Sequence, residues 1–244
     1  MQWRRLQIPG AEINGSVRGK PEQPPFPQSK FSDQDLETLA KLSLLPPVEL
    51  NCWRSGLGEN YPSHRDLEVV LFATFLEFGL ALPASDFLRG VLHYYGIQIH
   101  HLTPESVLHL SVFVHLCEAF LGIEPHFDLF RTLYWLVPHP TKNEIGHFGC
   151  ARLEIHPDMA SKYLKWPRIH VDPDWRFQWF YHQNQTPDLT NFSIGPPIYV
   201  WEWFIASPVE GGFQTDELLV KIASLRENQV TAASVVRNWK QRAV

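Results

Sequence analysis

The stretch TPESVLHLSVFVHLCEAFLG, residues 103–122, decides the fold, because it carries the clearest helix signal in the chain. Thr103 is a typical N-cap, Pro104 takes the first helical position, and Gly122 marks the end. One face at helical spacing consists of Val107, Leu110, Val114, Cys117 and Leu121. Other apolar residues cover most of the remaining circumference, and a helix that is apolar nearly all round is buried. The pattern predicts a central helix, in which truncating Val114 or Leu121 to Ala would cost about 2–4 kcal/mol.

Further apolar patterns lie on both sides of this helix within the first half of the chain. Ser32 is a predicted N-cap for a helix that ends before Pro46. Three other stretches, each bounded by Gly or Pro, cover residues 67–78, 85–95 and 126–136. We therefore expect a helical first half, over about residues 31–138.

The pattern of apolar residues changes after residue 140, where apolar and polar residues alternate as they do in strands. Such alternation occurs at residues 151–155, 177–181 and 199–205, and helical patterns follow at residues 216–226 and 231–240. The predicted fold class is α+β, mainly α, with a few aromatic-rich strands and two C-terminal helices. Residues 1–30 are rich in Gly and Pro and predict a flexible leader. Residues 31–244 are then expected to form a single globular domain, whose mixed part covers about residues 139–244.

Composition and charge narrow the function classes. The net charge of −5 argues mildly against a protein that holds nucleic acid through its phosphates. Three scattered cysteines, Cys52, Cys117 and Cys150, are typical of a reducing compartment. Residues 1–10 contain no apolar run that would predict a signal peptide, and no stretch has the length of a membrane span. The expected location is intracellular, in the nucleus or the cytoplasm.

The sequence contains no catalytic or metal-binding pattern from which we would predict a site residue. Ser111, His115 and Glu118 share one stripe of the central helix, within about 60° of each other. A serine in the middle of a helix lacks the free amides of an oxyanion hole, so we expect His115 to pair with Glu118 and to face a polar group of another element. The twelve histidines show no metal-ligand spacing with cysteine, and no phosphate-binding loop is present. We predict no catalytic residue, no metal and no cofactor.

Two other groups of residues leave alternatives open. The aromatic residues Trp175, Trp179, Tyr181, Trp201 and Trp203 could stack bases, but few basic residues are interleaved with them. We therefore expect them to pack the sheet against the helices. Folding could also bring Asp128, Asp158 and Asp172 together, which the sequence does not settle.

Several motifs together resemble a known domain family. They are LPAS at 82–85, FLRG at 87–90, YYGI at 94–97, HHLTP at 100–104, FVHLCEAFLGI at 113–123 and PHF at 125–127. Residues 179–181 and the helix at 230–240 are similar to the family's later segments. The chain resembles the gypsy-type transposase domain family of plants, which occurs in many retrotransposon-derived plant proteins. The resemblance covers about residues 35–240, and a chain that stops at Val244 is expected to be a fragment or a degenerate copy.

The resemblance implies a gag-like or accessory segment of a retroelement, which assembles with itself or with other proteins. It does not supply the acidic metal-binding triad that strand transfer requires. Three hypotheses stay open: a non-catalytic interaction domain, a nucleic-acid-associated element protein with a basic end at Arg237, Lys240 and Arg242, and, ranked last, a nuclease or transposase. No membrane contact is expected, and nucleic-acid binding is expected to be weak or absent.

Overall fold

The computed structural model describes residues 26–47, 50, 52–139, 148–183, 189 and 213–242. These residues form seven α-helices and five short strands, which confirms the mixed, mainly helical fold class. The helices are α1 (Asp33–Lys41), α2 (Ala73–Glu77), α3 (Asp86–Tyr95), α4 (Pro104–His115), α5 (Phe127–Leu133), α6 (Phe213–Glu227) and α7 (Ala232–Arg242). The strands are β1 (Trp53–Ser55), β2 (Glu68–Phe72), β3 (Tyr134–Pro138), β4 (Ala151–Ile155) and β5 (Trp179–Gln183).

The helix α4 lies in the middle of the fold, as predicted. The Thr103 side chain accepts a hydrogen bond from the amide of Ser106, and Pro104 is at the first helical position. The Ser106 hydroxyl in turn accepts a hydrogen bond of 2.8 Å from the Leu153 amide, which ties the start of α4 to β4. Further along, α4 packs against α2 and α7. Its continuation, Leu116–Leu121, is a π-helical turn that ends at Gly122 with φ 66°.

The burial of α4 differs from the predicted face in two positions. Val107, Leu110 and Cys117 are buried, but Val114 and Leu121 are only half-buried. The most deeply buried side chains of this segment include Phe113 and Leu116, which are fully inaccessible to solvent. The core of α4 is therefore rotated relative to the predicted face, and Val114 lies at its edge.

A three-stranded antiparallel sheet has the order β1-β5-β2. Tyr181 on the central strand β5 is opposite Arg54 on one side and Val70 on the other. Trp179 and Tyr181 have no exposed surface, and Trp175 is almost as deeply buried. The packing interpretation is confirmed for these three residues, whereas Trp201, Trp203 and the predicted strand at 199–205 lie outside the described residues.

The strands β3 and β4 form a separate antiparallel pair, in which Leu136 is opposite Leu153. The helix α5 leads directly into β3, so the helix predicted at 126–136 ends at Leu133. The predicted pattern at 67–78 likewise divides into β2 and the short helix α2. The strand β2 is buried at every position, and a continuous apolar run of this kind lacks the periodicity that separates strand from helix.

Residues 26–30, which were assigned to the predicted leader, pack against the rest of the fold. Phe26 is buried and its ring lies 5.4 Å from that of Trp179, edge to face. The hydroxyl of Ser29 donates a hydrogen bond of 2.7 Å to the Trp179 carbonyl. Residues 26–30 therefore belong to the folded core, while the rest of the predicted leader lies outside the described residues.

The two C-terminal helices end slightly beyond their predicted ranges and pack on α5 and α4 as well as on residues 160–165. Arg226 near the end of α6 donates hydrogen bonds to the carbonyls of Ala160 and Tyr163. The helix α7 begins after Thr231, which pairs with Lys165 in a short parallel bridge. Among the described residues, no helix has the length and apolar character that crossing a bilayer requires.

Candidate functional site

An apolar groove runs along the exposed side of α4. Its first wall is the turn Gly79–Ala81, and its second wall is the first part of α3, with Phe87 and Leu88. Ile99 and Ser85 also line the groove. The helix α4 and its π-helical turn form the third wall through Val107, Leu110, Ser111, Val114, His115 and Glu118. The groove has a volume of about 240 Å³, and its surface is mainly apolar.

The local sequence explains why these walls are held in place. Ser85 caps α3 by accepting a hydrogen bond from the Leu88 amide, and Gly96 closes the helix in the left-handed conformation. The ring of Phe87 stacks on that of Phe113 at 5.4 Å, which fixes α3 against α4. The walls are therefore parts of the packed core, and the groove is a preformed feature of the surface.

The polar stripe predicted on α4 lines one edge of this groove, which we call the rim: Ser111, His115 and Glu118. The Ser111 hydroxyl donates a hydrogen bond of 2.9 Å to the carbonyl of Val107, one turn earlier. His115 Nε2 lies 3.1 Å from Oδ1 of Asn238 on α7. His115 thus faces a polar group of another element, as predicted, but within the described residues it forms no ion pair with Glu118.

The rim does not have the geometry of a nucleophilic site. The Ser111 proton is directed to a backbone carbonyl, and the imidazole of His115 is directed to Asn238, so no base is positioned to activate the hydroxyl. The neighbouring amides belong to the helix. What the rim offers chemically is a set of hydrogen-bonding groups beside an apolar surface, which is an arrangement for binding.

A second polar cluster, formed by Arg54, Glu59, Glu68 and Tyr181, joins the three strands of the sheet. Arg54 donates hydrogen bonds of 2.7 Å from Nε and from Nη2 to the two carboxylate oxygens of Glu68. Its guanidinium also lies 3.6 Å from the centre of the Tyr181 ring. Burial would raise the pKa of Glu68, but the hydrogen bonds from Arg54 and from the Arg65 amide outweigh it and lower that pKa. The paired charges and the ring contact connect the three strands, so the role of this cluster is structural.

Two titratable side chains elsewhere, Cys117 and His109, have pKa values that are shifted by burial. Burial raises the pKa of the Cys117 thiol to about 12, so the thiolate that nucleophilic chemistry requires is not populated. Burial lowers the pKa of His109 to about 4. All three cysteines are free and buried.

Among the described residues, the acidic and histidine side chains discussed above do not come together in a metal site. Within the described ranges, no three His, Cys, Asp or Glu residues are grouped so that they could hold a metal ion. Asp128, Asp158 and Asp172 therefore do not form such a group. The expectation that the protein requires no metal stays a prediction.

The sequence pattern indicated the polar residues of the rim but not the apolar groove beside them. The missing walls come from the turn at residue 79 and from α3, which lie about thirty residues before the rim in the chain. The only sequence signal was a polar stripe on an otherwise apolar helix, since such a stripe requires either solvent or a polar partner.

Comparisons with known proteins place this groove in a recognisable segment. Residues 69–138 match a family model described as "Putative gypsy type transposon". That segment runs from β2 to β3 and contains every residue that lines the groove. The match supports derivation from a gypsy-type transposon. No curated protein and no solved structure matches the chain.

Proposed function

We propose that the chain is a retrotransposon-derived, non-catalytic interaction domain of gag-like or accessory type, and that the groove along α4 is its docking site. The observation that carries the proposal is the position of the groove: all of its walls come from the segment that is similar to a gypsy-type transposon family. We extend the same derivation beyond the matched residues 69–138 because the sequence resembles the family as far as about residue 240.

The chemistry of the groove favours binding over catalysis. Its surface is mainly apolar, and three of its four polar side chains lie on the rim, which is the composition of a recognition surface with a few orienting hydrogen bonds. The rim lacks an activated nucleophile and a grouped set of metal ligands, as described above. A protein partner inserts apolar side chains into such a surface and gains most of its affinity from them.

Selection of peptides from a random display library against the purified chain tests the proposal. We expect enriched peptides that lose binding to a V114Q variant, because Val114 lies half-buried in the groove wall. A V220Q variant is the matched control, since Val220 on α6 is a 70% exposed valine outside the groove. Enriched peptides that bind V114Q as well as the unmodified chain, or a selection without any enrichment, would contradict the proposal.

A further inference from the structure

We infer that the groove binds an amphipathic helix of a partner protein, one that carries apolar anchors flanked by Lys or Arg. The inference rests on the proposed function, because it names the partner of the same groove. Three observations lead to it: the length of the groove, its volume, and the hydrogen-bonding character of its rim.

The length of the groove matches a helix. Its lining on α4 extends from Val107 to Glu118, at positions that recur every three or four residues. Eleven residues at the helical rise of 1.5 Å span about 16 Å, or about three turns. A partner helix laid along this wall would present anchors at i, i+4 and i+7, which is the spacing of helix-in-groove recognition.

The volume excludes a large compact ligand. Pockets that enclose drug-sized molecules and cofactors have volumes of roughly 300–1,000 Å³, whereas this groove holds about 240 Å³. Because that volume is distributed along three turns of the helix, the groove is narrow. It therefore accepts a row of side chains from one face of a helix better than a single bulky group.

The rim favours a partner of positive charge, because it presents a hydroxyl oxygen and a free carboxylate. The Ser111 proton is already donated to Val107, so only the oxygen lone pairs of that hydroxyl are free. Nε2 of His115 is directed to Asn238 Oδ1, so this nitrogen already has a partner within the fold. Glu118 is exposed, and its carboxylate forms no ion pair with any residue that the structure describes. Acceptors and a free negative charge beside an apolar surface are complementary to Lys or Arg.

The test uses a synthetic helical peptide of about 14 residues, with Leu at i, i+4 and i+7 and Lys at the flanking positions. Its binding to the full chain is measured by fluorescence anisotropy and compared with that of a peptide in which Glu replaces each Lys. We expect the basic peptide to bind more tightly. Replacing the central Leu by Ala should weaken it at least about tenfold, as for an interface anchor.

Charge variants of the protein then separate specific from general attraction. E118Q should weaken the basic peptide about two- to fivefold, the range for an exposed ion pair, and E118K should reverse the preference toward the acidic peptide. The control E124Q removes the same charge at an exposed position outside the groove and should leave the affinity unchanged.

Each other outcome has a defined meaning. Basic and acidic peptides that bind equally well, both depending on Val114, would overturn the charge inference and leave the docking function standing. Basic peptide that binds V114Q without loss would show general electrostatic attraction and overturn the inference. A dimer that forms with rising concentration and is abolished by V114Q, seen by light scattering, would show that a second copy occupies the groove instead. If neither peptide binds and the library selection also fails, both proposals are wrong.

Discussion

At the scale of single residues, His109 is the group whose burial has the clearest energetic consequence. Its ring lies 4.0 Å from that of Trp166 and 5.2 Å from that of Tyr134. Neither His109 Nδ1 nor Trp166 Nε1 has a hydrogen-bond partner within the described part of the chain. An imidazolium in this setting would lose its hydration without gaining a partner, which is why burial lowers the pKa to about 4 from 6.5.

We expect this histidine to make the fold sensitive to mild acid. Between pH 6.5 and 4 the unfolded chain binds a proton at His109 and the folded chain does not, so stability falls as the pH falls through that window. The full difference amounts to about 3 kcal/mol. In a His109→Phe variant, the free energy of unfolding in urea should depend less on pH over this range. His93→Gln, at an exposed position, is the control; an unchanged slope in His109→Phe would show that His109 is not the titrating group.

At the scale of elements, α4 places a residue of the core and a residue of the groove wall next to each other. Phe113 is fully buried and its ring contacts those of Phe87 and Phe130. Val114 is half-buried because it faces the groove. The sequence pattern predicted the reverse emphasis, with Val114 in the central face.

The two positions should therefore respond differently to truncation. Phe113→Ala leaves a cavity between α3, α4 and α5 and is expected to cost about 3–5 kcal/mol. Val114→Ala removes less buried surface and should cost about 1 kcal/mol or less, below the 2–4 kcal/mol expected from the sequence alone. Thermal and urea unfolding of both variants provide the measurement. A cost for Val114→Ala equal to that of Phe113→Ala would mean that the groove is closed in solution.

The helix ends of this protein are the part that local sequence determines best. Ser32 and Thr103 cap the helices they were predicted to cap, because a side-chain oxygen satisfies amides within the same turn. The strand β2 and the junction of α5 with β3 were not predictable, because their identity depends on pairing with β5 and β4, far away in the chain. The groove belongs to the same class, since its walls meet only after α3 has packed on α4.

At the scale of the whole molecule, charge and chemistry agree on what kind of partner is suitable. The chain carries 26 acidic and 21 basic residues, which gives a net charge of −5. One of these acidic residues, Glu118, lies on the rim of the groove. Both features favour a basic polypeptide over a polyphosphate, because a negatively charged protein attracts positive charges and repels negative ones.

For these reasons we expect that the purified chain neither cuts nor joins DNA and binds it only weakly. Strand transfer and hydrolysis by two-metal enzymes require carboxylates that converge on paired divalent ions, and the described residues contain no group of three potential ligands. Any residual binding should come from local basic groups such as the exposed Arg237 and should fade steeply as salt rises. The measurement is incubation with labelled duplex and single-stranded DNA in Mg²⁺ or Mn²⁺, with a metal-dependent nuclease as positive control. Cleavage that persists through purification and disappears in Asp128→Asn, Asp158→Asn or Asp172→Asn would make the chain an enzyme and overturn the non-catalytic proposal.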